Sequence, residues 1–266
     1  MSHHVEQFFD NLWQDYLQKT PSAGKVHQVL GGGNAIINDH VAFRTFDIAP
    51  VKLDTLAKLF EDMGYFPNGD YHFEAKKLRA KHYEHMNKDF PKIFISELLV
   101  EEFSDDVQGI IAEMVASIDP RDVENEAFLY SGTHWQVTKA QYDRLQEESE
   151  YAAWMSAFGF CANHFTVNVD RLPGYETLAE VNQKLKDEGF VLNSSGGEIK
   201  GSPEVYLEQS STMADRIDVQ FADQTAEIPS CFYEFAKRYA MADGEIYTGF
   251  VAASADKIFE STNAKR

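Results

Sequence analysis

The sequence contains few cysteines, and the two that it has lie far apart. Cys161 and Cys231 form no CxxC pair, which excludes a zinc ribbon and a redox-active dithiol. Two isolated cysteines are typical of free, buried thiols in a reducing cytosol. We therefore expect no disulfide and predict a cytoplasmic protein.

Long apolar runs and basic residues are also scarce. No stretch of about 18 apolar residues is present, so no membrane span is expected, and the first residues match neither a signal nor a transit peptide. The 24 Lys and Arg residues against 43 Asp and Glu residues give a net charge of −19. A surface this acidic repels nucleic acids and anionic membranes. Any anionic substrate would therefore need a local positive site.

The composition is that of a globular protein. Hydrophobic residues make up 44% of the 266 residues and aromatic residues 13%, enough to bury a large core. Near the start, VEQFFDNLWQDYLQK has the apolar spacing of a helix. PSAGK and the glycines of LGGGN predict the end of that helix and a mobile connection. Residues 1–34 are therefore predicted to be an N-terminal helix and a linker.

The strongest organisational signal is an internal repeat. NDHVAFRTF, residues 38–46, and ANHFTVNVD, residues 162–170, both read as strands with a histidine near their start. Each is followed by a proline, an amphipathic helix and a closing glycine, at a displacement of 124–125 residues. The pairs Asp-His and Asn-His recur at that displacement. Two such copies predict a duplicated α+β module.

The repeats divide the remainder of the chain, residues 35–266. DDVQGIIAEMVASI and AQYDRLQEESEYAAWMSAF each predict one helix between the repeats, and RIDVQFA and IPSCFYEFAKR are among the strands predicted for the second. The predicted units are repeat one at about 35–100, a helical connection at about 101–159, repeat two at about 160–240 and a C-terminal lid at 241–266.

Two of the nine histidines stand out because they occupy the same place in both repeats. Strand alternation puts His40 on one face with Arg44, and His164 on one face with Thr166, while apolar residues fill the opposite faces. A polar face that occurs twice predicts the lining of a shared cavity. The histidines of the charged segment YHFEAKKLRAKHYEH, by contrast, are predicted to be exposed.

Two histidines from different strands need one carboxylate to make a facial triad. Such a triad leaves open positions for substrate and dioxygen and favours Fe(II). Glu97 in IFISELL and Glu234 in CFYEFAKR are both acids in apolar strands, where a buried carboxylate requires a metal or a cation. The pattern alone does not choose between them, and pairing with Lys or Arg is the alternative for either.

Arg44 is the candidate for the local positive site. It lies four residues from His40 on the same face, so the two Cα atoms are about 13 Å apart. A guanidinium binds a carboxylate through two parallel hydrogen bonds, and a small elongated acid would fit between Arg44 and a metal at His40. The alternative is a structural arginine that pairs with an acid on a neighbouring strand.

Together these stretches resemble a known family over roughly residues 35–260. NDHVAFRTF, ANHFTVNV, GGEIKGSPEVYLEQSSTMAD, PSCFYEFAKR and GEIYTGFVAASADKIFEST resemble the 2-oxoadipate dioxygenase/decarboxylases, also called hydroxyglutarate synthases. That family belongs to the vicinal oxygen chelate superfamily. The resemblance implies an α+β fold in which two paired βαβββ modules, with additional helices, form an incomplete barrel around a metal.

The resemblance also implies the site and its chemistry. It selects Glu234 over Glu97 as the third Fe(II) ligand beside His40 and His164. It makes Arg44 the residue that binds the far carboxylate of the substrate, which then lies against both histidines. The implied reaction converts 2-oxoadipate and dioxygen to 2-hydroxyglutarate and carbon dioxide in lysine breakdown. The stretch LEQSST predicts that Gln209 and Ser211 line the cavity, with a hydrogen-bonded strand end as the alternative.

Two other functions stay open at this point. A glyoxalase-type isomerase or hydrolase on the same scaffold would use Zn(II) or Ni(II) and commonly four protein ligands, with Glu97 as the fourth. A non-catalytic protein that binds small acids would consume no oxygen. The C-terminal stretch 244–262 is expected to close over the cavity. The oligomeric state is not readable from the sequence.

Overall fold

One large sheet organises the fold, and helices cover its outer face. The computed structural model describes residues 2–32 and 35–262. The elements of the first half are helices α1 Ser2–Lys19, α2 Pro21–Gly31 and α3 Leu53–Asp62, and strands β1 Asn38–Phe46, β2 Tyr65–Phe73, β3 Leu78–His85 and β4 Lys92–Leu98.

Helices connect this half to the second one. The connection contains α4 Asp105–Ala116, α5 Lys139–Glu148 and α6 Glu150–Phe158. The elements that follow are β5 Ala162–Asn168, α7 Leu178–Asp187, β6 Lys200–Ser202, β7 Leu207–Ser211, β8 Arg216–Gln220, β9 Thr225–Pro229, β10 Phe232–Arg238 and α8 Ala252–Ile258.

The strand order shows the duplication directly. Eight of the described strands form one sheet in the order β2-β3-β4-β1-β5-β10-β7-β6, which curls into an incomplete barrel. β1 runs parallel to β4, and β5 runs parallel to β10, with antiparallel neighbours beyond each pair. The halves meet where β1 pairs antiparallel with β5. The predicted α+β fold of two βαβββ modules is confirmed.

Alternation along β1 separates the core from the barrel interior. Val41 and Phe43 point toward the helices, where Phe43 contacts Phe60 of α3 with ring centroids 5.3 Å apart. Helix α3 forms because its apolar residues recur at three- and four-residue spacing and all lie buried. His40 and Arg44 point the other way into the barrel, and both are buried. Both faces of the strand are therefore covered.

Several predicted elements differ from the structure. PSAGK does end the first helix, but a second helix, α2, begins at Pro21, because proline is favoured in the first turn. Gly31 ends α2 and Gly32 is its C-cap with a left-handed backbone, while Gly33, the third glycine of the predicted mobile linker, lies outside the described residues. AQYDRLQEESEYAAWMSAF forms two helices and not one, since Ser149 ends α5 and caps α6.

The second repeat also has an insertion that the sequence did not reveal. RIDVQFA was predicted as a strand of the repeat, but β8 pairs with β9 in a separate two-stranded ribbon outside the barrel. FVLNSSGGEIK contributes only the short β6 and one isolated bridge. Both cysteines are free and buried, as predicted. Among the residues described, no helix combines the length and apolarity needed to cross a bilayer.

Candidate metal centre

Three buried side chains converge inside the barrel. His40 comes from β1, His164 from β5 and Glu234 from β10, three strands that lie side by side. One ligand atom from each residue lies within 4.8 Å of the other two. His164 Nε2 is 3.0 Å from Glu234 Oε2, and His40 Nε2 is 3.7 Å from the same oxygen. This is the donor set of a 2-His-1-carboxylate facial triad.

The electrostatics of Glu234 depend on the two histidines. Its carboxylate is almost completely buried, and burial alone would raise its pKa. The nearby His40 and His164 outweigh that effect and lower the pKa of Glu234 to about 2. Lys237 and Arg238 are the cations nearest to Glu234 in sequence, and they bind Asp170 and Asp39 instead. The structure therefore holds an ionised carboxylate between two imidazoles.

The two histidines are electrostatically different. Burial lowers the pKa of His40, but the Glu234 carboxylate and the hydrogen bond with Asp39 raise it above its ordinary value. For His164 burial dominates, and its pKa is lowered in spite of Glu234. His40 Nε2 also lies 3.0 Å from Thr166 Oγ1, which occupies the same barrel face.

Glu97, the competing carboxylate candidate, is elsewhere. Its side chain lies on the outer, helix-facing side, where Oε2 accepts a hydrogen bond of 2.8 Å from the Leu53 N–H at the start of α3 and Oε1 pairs with Arg79. Strand register explains this position. His40 is opposite Lys92, and His164 is opposite Phe232, so Phe94 is the repeat-one equivalent of Glu234. Glu97 and Glu234 are not equivalent residues.

A β-bulge precedes each histidine in the ladder between β1 and β5. Asn38 and His40 face Val167 and Thr166, so Asp39 is an extra residue on β1. On the other side of the pseudo-twofold axis, Asn163 is the extra residue on β5, between the partners of Ala42 and Phe43. Bulges re-aim side chains, and these two bring a polar group to each imidazole. Asp39 Oδ2 is 2.8 Å from His40 Nδ1, and Asn163 Oδ1 is 3.0 Å from His164 Nδ1.

Arg44 lies in the same cavity and has more than one contact. Its Nη1 donates to Glu150 at 3.2 Å and its Nη2 to Thr262 at 3.1 Å, while its buried Nε has no partner. The guanidinium also stacks over Tyr151 and Trp154. The structural alternative predicted that Arg44 pairs with an acid on a neighbouring strand. Arg44 does pair with an acid, but that acid is Glu150 on helix α6.

Gln209 and Ser211 both point toward the barrel interior from β7, with different partners. Gln209 lines the cavity, and its Nε2 donates to Glu234 Oε1 at 2.5 Å. Its buried Oε1 has no partner. Ser211 Oγ lies 2.9 Å from Ser261 Oγ, so this hydroxyl anchors the C-terminal stretch.

The C-terminal stretch covers a narrow cavity above the cluster. Phe250, Ala255, Ile258 and Phe259 of that stretch line the cavity. Phe250 stands edge-on to His40, with ring centroids 4.8 Å apart. His82, predicted to be exposed, is buried beside Phe250 because this stretch folds over it.

Sequence reasoning missed several contributors to the site. Asp39 and Asn163 had a visible signal, the repeated Asp-His and Asn-His pairs, to which no role was assigned. Glu150 had none, because it reaches Arg44 from helix α6, far away in sequence. Phe250 belongs to the C-terminal stretch that was expected to close over the cavity, but it was not singled out within that stretch.

Comparison with known proteins gives consistent results. Residues 8–245 match the family model of 2-oxoadipate dioxygenase/decarboxylase. The chloroplastic 2-oxoadipate dioxygenase/decarboxylase of Arabidopsis thaliana is 36% identical over 275 residues, covering 93% of this chain and 74% of that protein. The chloroplastic/amyloplastic enzyme of that name from Oryza sativa subsp. japonica is 36% identical over 280 residues, covering 95% and 77%.

Solved structures show the same likeness. Hydroxyglutarate synthase from Oryza sativa, crystallised with 2-oxoadipate, has a TM-score of 0.93 and 34% identity, covering 99% of this chain and 93% of that one. A putative hydrolase from Shewanella frigidimarina has a TM-score of 0.91 and 60% identity, covering 93% and 98%. A putative glyoxalase superfamily protein from Ralstonia eutropha, 21% identical with a TM-score of 0.76, covers 92% and 85% and shares the fold.

Proposed function

The chain belongs to the 2-oxoadipate dioxygenase/decarboxylase family, and from that premise we propose that it converts 2-oxoadipate and dioxygen to 2-hydroxyglutarate and carbon dioxide. The metal would be Fe(II), bound by His40, His164 and Glu234. The observation that carries the proposal is this buried His-His-Glu cluster, on the floor of a cavity that also contains Arg44.

The donor set fits Fe(II). Two imidazole nitrogens and one ionised carboxylate are the ligand set of non-haem Fe(II) oxygenases, which would leave positions for substrate and dioxygen. Glu234 is held in the ionised form that ligation needs. When bound, Fe(II) would supply the activation of dioxygen that oxidative decarboxylation needs. Gln209 would orient Glu234 through the hydrogen bond that it donates to the carboxylate.

The polar groups that line the cavity suit a small dicarboxylic 2-oxo acid. Arg44 would bind the far carboxylate, since its unpaired Nε and its flat guanidinium suit a bidentate contact. Asn163 Nδ2, a buried donor without a partner in the same cavity lining, supports recognition of a polar ligand. The rings of Phe250 and Phe259 close the cavity and would exclude water.

The proposed reaction balances without a further reductant. C1 of 2-oxoadipate leaves as carbon dioxide, C2 becomes the new carboxylate, and the adjacent carbon gains a hydroxyl group. The two atoms of dioxygen supply the added carboxylate oxygen and the hydroxyl oxygen. Arg44 would hold the substrate in one orientation, so that the carbon next to the newly formed carboxylate is the one presented to the metal side.

The alternatives have less support. A glyoxalase-type site with Glu97 as fourth ligand is disfavoured, because Glu97 lies on the outer face of the sheet and pairs with Arg79. A non-catalytic acid-binding protein would not need three metal-ligating groups arranged within 4.8 Å. The cytoplasmic location expected from the cysteines is kept as part of the proposal.

Oxygen uptake tests the proposal. Protein reconstituted with Fe(II) should consume dioxygen with 2-oxoadipate and release 2-hydroxyglutarate, whereas 2-oxoglutarate and 4-hydroxyphenylpyruvate serve as comparison substrates. His164→Ala should abolish uptake because it removes a ligand. If the wild-type protein consumed no oxygen with any of the three acids, the proposal would be wrong.

A further inference from the structure

We infer that Arg238 is a positioning residue that links the C-terminal segment, residues 244–262, to the metal ligand His40 through Asp39. The inference rests on the proposed function only in taking His40 as a ligand. The buried guanidinium of Arg238 would both orient the imidazole of His40 and hold in place the segment that closes the cavity.

The first half of the link runs from Arg238 to the imidazole. Arg238 Nε donates to Asp39 Oδ1 at 2.7 Å, and its Nη2 donates to Asp39 Oδ2 at 2.9 Å. This bidentate pair fixes the carboxylate of Asp39, whose Oδ2 lies 2.8 Å from His40 Nδ1. A carboxylate at the second nitrogen of a ligating histidine sets the tautomer and the ring orientation, and makes the ligand more basic.

The second half runs from the same guanidinium to the C-terminal segment. Arg238 Nη1 donates to the carbonyl oxygens of Tyr247 at 3.1 Å and Gly249 at 2.7 Å. Its guanidinium carbon lies 5.2 Å from the ring centroid of Phe250, and that ring stands at 90° to His40. His40 is thus held at Nδ1 and packed on its ring by groups that both depend on Arg238.

Comparison of the repeats indicates that the pair is specialised. The equivalent of Asp39 at the other bulge is Asn163, a neutral amide. Because His40 faces Lys92 and His164 faces Phe232, the repeat-one equivalent of Arg238 lies six residues after Lys92, and it is Leu98. The acid and its cation, Asp39 on β1 and Arg238 on β10, occupy one of two symmetry-related pairs of positions, and an amide and an apolar residue occupy the other pair. A generic structural ion pair would not need this joint asymmetry.

The pair is also buried, so it cannot be an incidental surface contact. Asp39 is 3% exposed and Arg238 6%. Four of the five guanidinium N–H groups have acceptors on Asp39 or on the segment. The ammonium group of a lysine is a compact charge. It cannot bind the Asp39 carboxylate and the carbonyl groups of the C-terminal segment at the same time. Arg238→Lys therefore keeps a positive charge beside Asp39 and loses the hydrogen bonds to the Tyr247 and Gly249 carbonyl groups.

The experiment measures metal affinity and amide exchange in Arg238→Lys. Co(II) is titrated into the metal-free protein against a competing chelator, without substrate. We expect Arg238→Lys to bind Co(II) about tenfold more weakly, the lower end of the effect of partners of ligating histidines. Its Co(II) absorption spectrum should also differ from that of the wild type. Lys237→Gln is the matched control, because the neighbouring Lys237 pairs with Asp170 away from the cavity.

Amide hydrogen exchange tests the link from the opposite end. If the metal and the segment are coupled, metal binding must stabilise the segment, since coupling is reciprocal. Loading wild-type protein with Co(II) should slow exchange at residues 247–250, and Arg238→Lys should lose that slowing. The segment keeps another anchor in the variant, the bond from the Phe250 N–H to Tyr71 Oη. A role in folding alone would lower the melting temperature without this metal dependence.

Asp39→Asn provides an independent variant that the fold accommodates at the equivalent bulge. It should weaken Co(II) binding similarly, and the double variant should lose little more than either single change. The inference would be overturned if Arg238→Lys bound Co(II) as tightly as the wild type. It would also be overturned if amide exchange at residues 247–250 of the wild type were the same with and without Co(II). A wild-type protein that binds Co(II) with the expected coupling but consumes no oxygen would overturn the proposed function alone. A wild-type protein that binds no metal would overturn both.

Discussion

Arg44 has to serve both the protein and the proposed substrate. Its side chain carries an ion pair with Glu150 and a hydrogen bond with Thr262, and its Nε is free to bind a ligand. We predict that Arg44→Ala weakens 2-oxoadipate binding by about 2–4 kcal/mol, the cost of losing a buried charge partner. This corresponds to about 30- to 1,000-fold in KM or in the dissociation constant measured by calorimetry.

Glu150→Gln is the control for Arg44. It removes the ion pair and leaves the guanidinium in the cavity, so substrate binding should be kept. If Arg44→Ala destabilised the fold but left 2-oxoadipate affinity unchanged, Arg44 would be a structural residue only.

Glu97 offers a second test on single residues. Its carboxylate caps helix α3 at Leu53 and pairs with Arg79. We predict that Glu97→Ala lowers the free energy of unfolding by about 1–3 kcal/mol, because it leaves a buried N–H without an acceptor. Metal affinity should not change, whereas Glu234→Ala should lose it. Urea denaturation and metal titration measure the two effects, and loss of metal in Glu97→Ala would contradict the assignment.

Strand alternation explains which single residues could be predicted. It correctly placed His40 and Arg44 on one buried face of β1, because strand periodicity is a local property. It could not predict the burial of His82, whose own strand reads as charged. That burial comes from Phe250, which arrives from the far end of the chain. Burial by a segment that is distant in sequence leaves no pattern in the residues of the strand that it covers.

At the scale of elements, helix caps decide boundaries that periodicity does not show. The residues of α5 and α6 are all acceptable in one helix, so the sequence predicts a single element. Ser149 interrupts it with an extended backbone, φ −148° and ψ 105°, and its Oγ accepts a hydrogen bond from the Ala152 N–H at 3.1 Å. The break lets α6 turn its buried face toward β1, where Tyr151 Oη accepts from the Thr45 N–H at 2.9 Å.

We therefore predict that Ser149→Ala lowers the free energy of unfolding by about 0.5–2 kcal/mol, the usual cost of losing an N-cap. Ser117→Ala is the matched control, since Ser117 follows α4 at its C-terminal end and donates only to the Glu113 carbonyl. Chemical denaturation of both variants measures the difference. Equal effects would show that the cap of α6 has no special role.

For the whole molecule, the duplication could be predicted from the sequence, but the residue-by-residue correspondence between the later strands of the two modules could not. The repeated histidine, proline and glycine positions revealed two modules, because each module begins with the same strand and helix. The later strands lost this correspondence, since the β8–β9 ribbon is inserted between β7 and β10. The sequence pattern offered Glu97 and Glu234 as equal candidates for the third ligand, while strand pairing makes Phe94 the counterpart of Glu234. The third ligand has no counterpart in the other half.

The metal should consequently tie the two modules together. His40 belongs to the first module, and His164 and Glu234 belong to the second. A ligand that binds only the folded state adds about 2.7 kcal/mol when its free concentration is 100 times its dissociation constant. For a chain of this size that is a shift of about 5–10 °C in melting temperature.

We predict a decrease of this size when a chelator removes the metal, measured by calorimetry. His164→Ala, which lacks a ligand from the second module, should melt at the same temperature with and without chelator. A similar chelator effect on both proteins would mean that the metal stabilises the chain at some other place than between the modules.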